Sequence, residues 1–313
     1  MHILVVGPGA LGCLVATAIS RGMEGTGSRL SVLDHDRTRA DRLNREGIWY
    51  ELDGAHRSFP LAVTADPLAA EPADVVILCV KSYDVLASLA FCRPLLAEGT
   101  VLLFLQNGIG HLNCGEAAGK AVIAYGTTTE GATLLSPGHV RHAGHGATFL
   151  GFPSLVDARS TALLHQTAAI CSRGGMATTV TADILHRLWA KLFINVGINA
   201  LTAIHGCLNG DLLTIPGVAE RMQTAVDEAE QVARASGIAV NGDPFTATVE
   251  VCRRTAANIS SMLQDVRRRR RTEIDAINGT VVRVGQTLGL ETPENLRLVQ
   301  QIRAIEAEYA ATL

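Results

Sequence analysis

The sequence predicts an α/β protein of two domains, a doubly wound parallel sheet over residues 1–182 and an all-helical domain over 183–313. Three observations carry that expectation. The first half alternates short β-rich apolar runs with helical patterns, the sequence form of a parallel sheet wrapped by helices. A glycine-rich turn stands directly between the first apolar run and the first helical pattern. From Asp183 onward nearly every segment has helical period.

Strands are expected at His2–Gly7, Arg29–Asp34, Val75–Val80, Val101–Gln106 and Ala121–Gly126, with the clearest helices between them at Leu11–Arg21 and Thr38–Glu46. Beyond Gly126 two extended runs follow, Gly131–Leu134 and His139–Gly151, parted by the turn Ser136-Pro137-Gly138. Asp183 is placed to cap a long helix through Leu185, Leu188, Leu192 and Val196. Further helix starts are read at Thr272, with Asp275 at capping-box spacing, and at Thr292, which precedes Pro293.

Composition narrows the function classes. A chain of 313 residues, at roughly 150 residues per domain, has room for about two buried cores. Lys and Arg total 27 against 30 Asp and Glu, so no bulk charge draws the chain to nucleic acid or an anionic membrane. Aromatic residues at 4 % supply few base-stacking platforms. Seven scattered cysteines, odd in number and without a CxxC pair, read as reduced thiols of a cytoplasmic protein. The N-terminus has no charged region ahead of an apolar stretch, and every long apolar run is broken by a polar residue, so neither a signal peptide nor a membrane span is expected.

Gly7-Pro8-Gly9-Ala10-Leu11-Gly12 is G-x-G-x-x-G after a strand and before a helix. Glycine there allows a tight turn, an approach of backbone N–H groups to a pyrophosphate, and close helix-strand contact, while the helix N-terminus adds partial positive charge. A Rossmann-like dinucleotide site is the expectation. Asp34, 22 residues beyond Gly12 at the end of the second strand, is placed to accept the adenine ribose hydroxyls and so favours NADH, NADPH not being excluded. A 2′-phosphate about 5 Å from a free carboxylate suffers repulsion of roughly 3 kcal/mol per unit charge, enough for more than a hundredfold discrimination. Arg37 and Arg39 stand near enough to offset it.

Lys191, Asn195 and Asn199, at i, i+4 and i+8, share one face of an otherwise apolar helix. Buried polar groups need partners or a ligand, whereas the bland alternative is a stripe facing solvent. A second cluster spaces Asn258, Ser261 and Asp265 along one helical face, and Glu273 falls in the first turn of the helix expected from Thr272. Three histidines, His139, His142 and His145, invite a metal reading, but strand alternation turns His142 away from the other two, so no metal is expected. Arg267 to Arg271 read as a solvated helix face.

In order along the chain, GPGALG, CVKSYD, QNGIG, GTTTEGA, KLFINVGINALTA, the Asn209-Gly210 pair, NISSMLQD and TEIDAING resemble the ketopantoate reductase family over nearly the whole length. The resemblance implies reduction of 2-dehydropantoate to pantoate in pantothenate and coenzyme A synthesis. It implies Lys191 as proton donor, with Asn107, Asn195, Asn199, Asn209, Asn258 and Ser261 lining the substrate, and Lys81, Asn107, Ala132 and Glu273 at the cofactor; Glu273 is also read as catalytic, placed to orient the Lys191 ammonium. Asp34 departs from the arginine of NADPH-using members. The partner implied is a small 2-oxo acid bound in a cleft between the domains, and a homodimer is left open. Two other readings keep the fold: an NAD-dependent dehydrogenase of another branched 2-hydroxy acid such as mandelate, and a cofactor-binding regulator without turnover.

Overall fold

The computed structural model describes residues 1–310, which form two compact units. The first comprises Met1–Gln106 and His111–Ile184; the second takes Asn107–Gly110 and the chain from Leu185. The break at Ile184 lies two residues past the expected boundary, and the grouping of Asn107–Gly110 with the helices is new. Periodicity marks where a pattern changes, and four residues inside a loop have no period to read.

The first unit holds twelve strands: β1 (His2–Val6), β2 (Arg29–Leu33), β3 (Ile48–Leu52), β4 (Ala55–Phe59), β5 (Ala62–Thr64), β6 (Val75–Leu78), β7 (Val101–Phe104), β8 (Val122–Thr128), β9 (Gly131–Ser136), β10 (His139–Gly144), β11 (Thr148–Gly151) and β12 (Thr178–Val180). Eight of them form one sheet in the order β12-β11-β8-β7-β6-β1-β2-β5, parallel throughout except for the β8–β11 pair. All five strands expected for the parallel sheet are present in it. The central strands β1, β6 and β7 are buried along their whole length, as strands covered on both faces must be. Strand order reverses at β1, and ligands of such sheets bind beyond the carboxyl ends of the strands at that reversal.

Four helices accompany the sheets: α1 (Ala10–Gly22), α2 (Arg37–Glu46), α3 (Val85–Cys92) and α4 (Ala158–Arg173). A second sheet, ordered β4-β3-β10-β9, packs with α1; β9 and β10 fall on the two extended runs read after Gly126, whereas β3 and β4 were not anticipated. Strands β3 and β4 are five residues each, and β4 buries only its last residue, so neither carries a period that stands out from loop. The run expected over His139–Gly151 is therefore two strands in different sheets, β10 and β11.

The second unit contains six helices among the described residues: α5 (Ile184–His205), α6 (Val218–Ala235), α7 (Pro244–Arg254), α8 (Ser261–Arg267), α9 (Asn278–Thr287) and α10 (Pro293–Ala310). No helix of the described residues is long and apolar enough to cross a membrane. Pro293 opens α10, as expected. The helix start read at Thr272 is displaced: a bend at Glu273 and turns over 274–277 precede α9, which begins at Asn278. The Thr272 hydroxyl does accept a local bond, from the Ile274 N–H at 3.3 Å, but it stabilises a turn, which is the alternative such side chains offer to a helix. Arg267–Arg271 are exposed, yet they leave α8 in a turn with Arg269 at φ +51° instead of continuing a helix face.

Candidate active site

In the first unit, the glycine turn has a distinct use for each glycine. Gly7 sits at φ +87°, where a Cβ would also lie 2.5 Å from the Val80 side chain. At Gly12 a Cβ would come within 2.0 Å of the Gly7 carbonyl oxygen, so only glycine lets α1 approach the turn this closely. Gly9 faces open space, with nothing within 4 Å. No side chain caps α1 at Gly9, and the first-turn N–H groups of a helix have no helical acceptor. Pro8 completes the turn by accepting the Cys13 thiol at 3.3 Å. An open cradle of amides at a positive helix end fits a pyrophosphate.

Asp34 follows β2 but is not a free carboxylate. Its side chain is fully buried, and Arg39 of α2 clamps it through both Nε and a terminal nitrogen, while the Asp36 N–H adds a bond at 3.1 Å. The exposed part of the pair is the guanidinium, 28 % accessible. The repulsion assigned to a bare carboxylate is thereby largely cancelled, because the pair carries no net charge. Lys81 lies in the turn after β6, and Ala132 on β9 pairs with His142 of β10. Sequence reasoning missed Gln106, whose buried amide donates to the carbonyls of Leu78 at 2.8 Å and Val80 at 3.2 Å, fixing the backbone ahead of Lys81.

In the second unit, Lys191, Asn107 and Glu273 meet although they are distant in sequence. Lys191 Nζ donates to Asn107 Oδ1 at 2.8 Å, and Asn107 Nδ2 donates to Glu273 Oε2 at 3.0 Å. The carboxylate thus orients the amide, and the amide presents its oxygen to the ammonium. Glu273, 5 % exposed, is held by the turn its own carbonyl closes with Ala276 and Ile277, not by a helix start. Gly108, at φ +74°, lets the loop press against the Ala276 backbone and carry Asn107 into range. Burial pushes the Lys191 ammonium down from 10.5 to about 8, the Glu273 charge opposing the fall.

Asn195 and Asn199 share the face of α5 with Lys191, Asn195 half-buried and Asn199 only 6 % exposed. Asn209 is buried, donates to Thr255 Oγ1 at 2.9 Å, and keeps a buried Oδ1 that no described residue satisfies. An orphaned buried acceptor costs about 1–3 kcal/mol, which a ligand donor would recover. The Asn209 and Gly210 N–H groups bond the carbonyls of Asn258 and Ala256, and Thr202 of α5 donates to Ser260 at 2.7 Å, so segment 255–261 is tied to α5. Asn258 is exposed and precedes α8, so it does not share a helical face with Ser261, which is exposed at the start of that helix. Ser260 caps α8, its hydroxyl accepting from the Leu263 N–H at 3.1 Å. A polar support behind α5 also escaped the sequence: Asn278 donates to the Val196 carbonyl and to Asn295, and Asn295 in turn binds Glu228, which caps α10.

A Rossmann-like sheet with an open glycine turn at its first helix, followed in the same chain by helices that carry a buried lysine, is the arrangement of an oxidoreductase, and the comparisons place the chain in that class. The chain belongs to the ketopantoate reductase PanE/ApbA family: the family's model matches residues 3–154, and that of its C-terminal part matches 183–306. Among similar proteins, the 2-dehydropantoate 2-reductase of Halobacterium salinarum is 36 % identical, covering 98 % of this chain and 100 % of the relative. The crystal structure of a PanE/ApbA family ketopantoate reductase from Ralstonia eutropha JMP134 superimposes with a TM-score of 0.88 at 29 % identity, covering 98 % of this chain and 99 % of that one. A D-mandelate dehydrogenase with NADH and anilino(oxo)acetate gives 0.87 over 98 % and 99 % of the two chains; at 24 % identity it speaks for the fold alone.

Proposed function

We propose that this protein reduces 2-dehydropantoate to pantoate with a nicotinamide cofactor in the cytoplasm. The observation that carries the reading is the hydrogen-bonded chain from Lys191 through Asn107 to Glu273. A nicotinamide, when bound, supplies hydride to the ketone carbon. Lys191 then protonates the oxygen on which charge develops, and Asn107 keeps its ammonium aimed. Asn195, Asn199, Asn209, Asn258 and Ser261 bind the carboxylate and hydroxyl of the acid, and the open Oδ1 of Asn209 accepts from that hydroxyl. Gly7–Gly12 hold the pyrophosphate, with Asp34, Lys81, Asn107, Ala132 and Glu273 as further cofactor contacts. The cytoplasmic assignment is supported by seven cysteines that are all free thiols.

Screening 2-oxo acids with each cofactor tests the reading. The expected result is the highest kcat/KM with 2-dehydropantoate, and NADH preferred by about tenfold or less, since Arg39 neutralises Asp34. Poor turnover of 2-dehydropantoate beside efficient turnover of an aryl or other branched 2-oxo acid overturns the substrate; a clear preference for NADPH overturns the role given to Asp34. The pH profile tests the acid. With the Lys191 proton held only to about pH 8, kcat/KM for reduction is expected to fall as pH rises through that value. A profile that stays flat well above it removes Lys191 as donor.

A further inference from the structure

We propose that Glu130, His142 and His145, none of them assigned a role above, form a binding site for a divalent cation of the zinc type in the first unit, next to Ala132, which pairs with His142. One ligand atom from each lies within 4.8 Å of the other two, and two imidazoles with a carboxylate are a donor set that zinc accepts. His142 and Glu130 are buried to 1 % and 0 % side-chain exposure, with His142 Nε2 and Glu130 Oε2 at 2.7 Å. The other carboxylate oxygen, Glu130 Oε1, is buried with no partner among the described residues. A fully buried carboxylate with one oxygen unsatisfied is expensive, and a cation is the ligand chemistry that answers it.

The surroundings suit the same role. The second nitrogen of His142, Nδ1, lies 2.8 Å from the Tyr50 hydroxyl, so the ring has an outer partner that fixes its orientation, as metal-bound imidazoles generally do. The Gly146 N–H donates to Glu130 Oε2 at 3.0 Å and holds the carboxylate. His145 stacks edge-on to His142 with ring centroids 4.3 Å apart and is exposed, leaving an entry path from solvent. Ligands about 2.1 Å from a tetrahedral ion are about 3.4 Å apart, so the His142–Glu130 pair needs to open by roughly 0.7 Å, displacing the proton it shares.

Strand alternation argued against a metal because it turned His142 away from His145. That alternation ends with β10 at Gly144, and the register with β9 shifts between His142 and Gly144, so His145 is free to turn toward His142. A second group, Glu51, His56 and His139, lies in the same sheet. There Arg141 Nε already donates to Glu51 at 2.6 Å, and the guanidinium charge opposes a cation, which is why the assignment falls on the first group.

The test uses the chelator-treated full chain titrated with Zn2+ by calorimetry, and with Co2+ by absorption. Wild type is expected to bind one equivalent. Because His145 is exposed, His145→Ala keeps the fold, and it should weaken Zn2+ binding at least tenfold. Glu130→Gln should do the same, while His56→Ala leaves affinity unchanged. Absence of saturable Zn2+ binding, wild-type affinity in His145→Ala, loss of binding in His56→Ala, or a thiolate charge-transfer band with Co2+ each overturns the site.

Discussion

Lys191→Met is expected to lower kcat/KM for 2-oxo acid reduction by about a thousandfold or more, without lowering Tm. The activity loss follows from the role proposed for Lys191, because the variant lacks both the proposed proton donor and the charge proposed to stabilise the developing alkoxide. The stability expectation follows from linkage. Burial lowers the Lys191 pKa from 10.5 to about 8, so the unfolded chain holds that proton more tightly than the folded one. Below pH 8 the folded state carries the full penalty, roughly 3 kcal/mol, and stability recovers as pH rises from about 8 toward 10.5. Methionine fills a similar volume without charge, and the charged bond lost to Asn107 offsets about 1.5–3 kcal/mol of the relief, which leaves Tm level or slightly raised. Steady-state kinetics and a melting curve at neutral pH check both halves. Near-normal turnover removes Lys191 from the mechanism, and a Tm several degrees lower shows that its ammonium is a net stabiliser.

Gly108→Ala should destabilise the protein by about 3 kcal/mol or more and cut kcat/KM on the order of a hundredfold. Two independent costs coincide there. Gly108 has φ +74°, a conformation that strains alanine, and the added Cβ would lie 2.0 Å from the Ala276 carbonyl oxygen, a backbone atom that cannot swing aside. The loop must retreat, taking Asn107 from both Lys191 and Glu273. Gly119→Ala is the control, because Gly119 also has positive φ, +64°, but nothing lies within 4 Å of its missing Cβ. It should cost only about 1 kcal/mol and leave kinetics alone. Equal melting temperatures for the two variants would mean that the close approach to Ala276 has no energetic weight.

How much of this was legible in the chain depends on the range of each interaction. The parallel strands, the glycine turn before α1 and the start of α10 are local, written in apolar runs, glycine spacing and a proline, and they stand where the sequence put them. The shared face of Lys191, Asn195 and Asn199 is likewise a property of one helix. The segment 272–277 was misread because a capping-box pattern reports a hydrogen bond available to a threonine, and a turn used it instead. Two strands of the second sheet, β3 and β4, escaped because β3 pairs with β10, about ninety residues away.

The sequence by itself determined the family, the Rossmann-like sheet, the helical second unit and the residue types that the chemistry needs. Only the tertiary structure decided their partners. It gave Asp34 to Arg39, which cancels the charge a cofactor was expected to feel. It brought Asn107 from a loop to join Lys191 and Glu273, and it set Glu130 beside His142. The physical reason is common to all three: charge and proton affinity depend on which groups burial forces together, and chain order does not encode those neighbours.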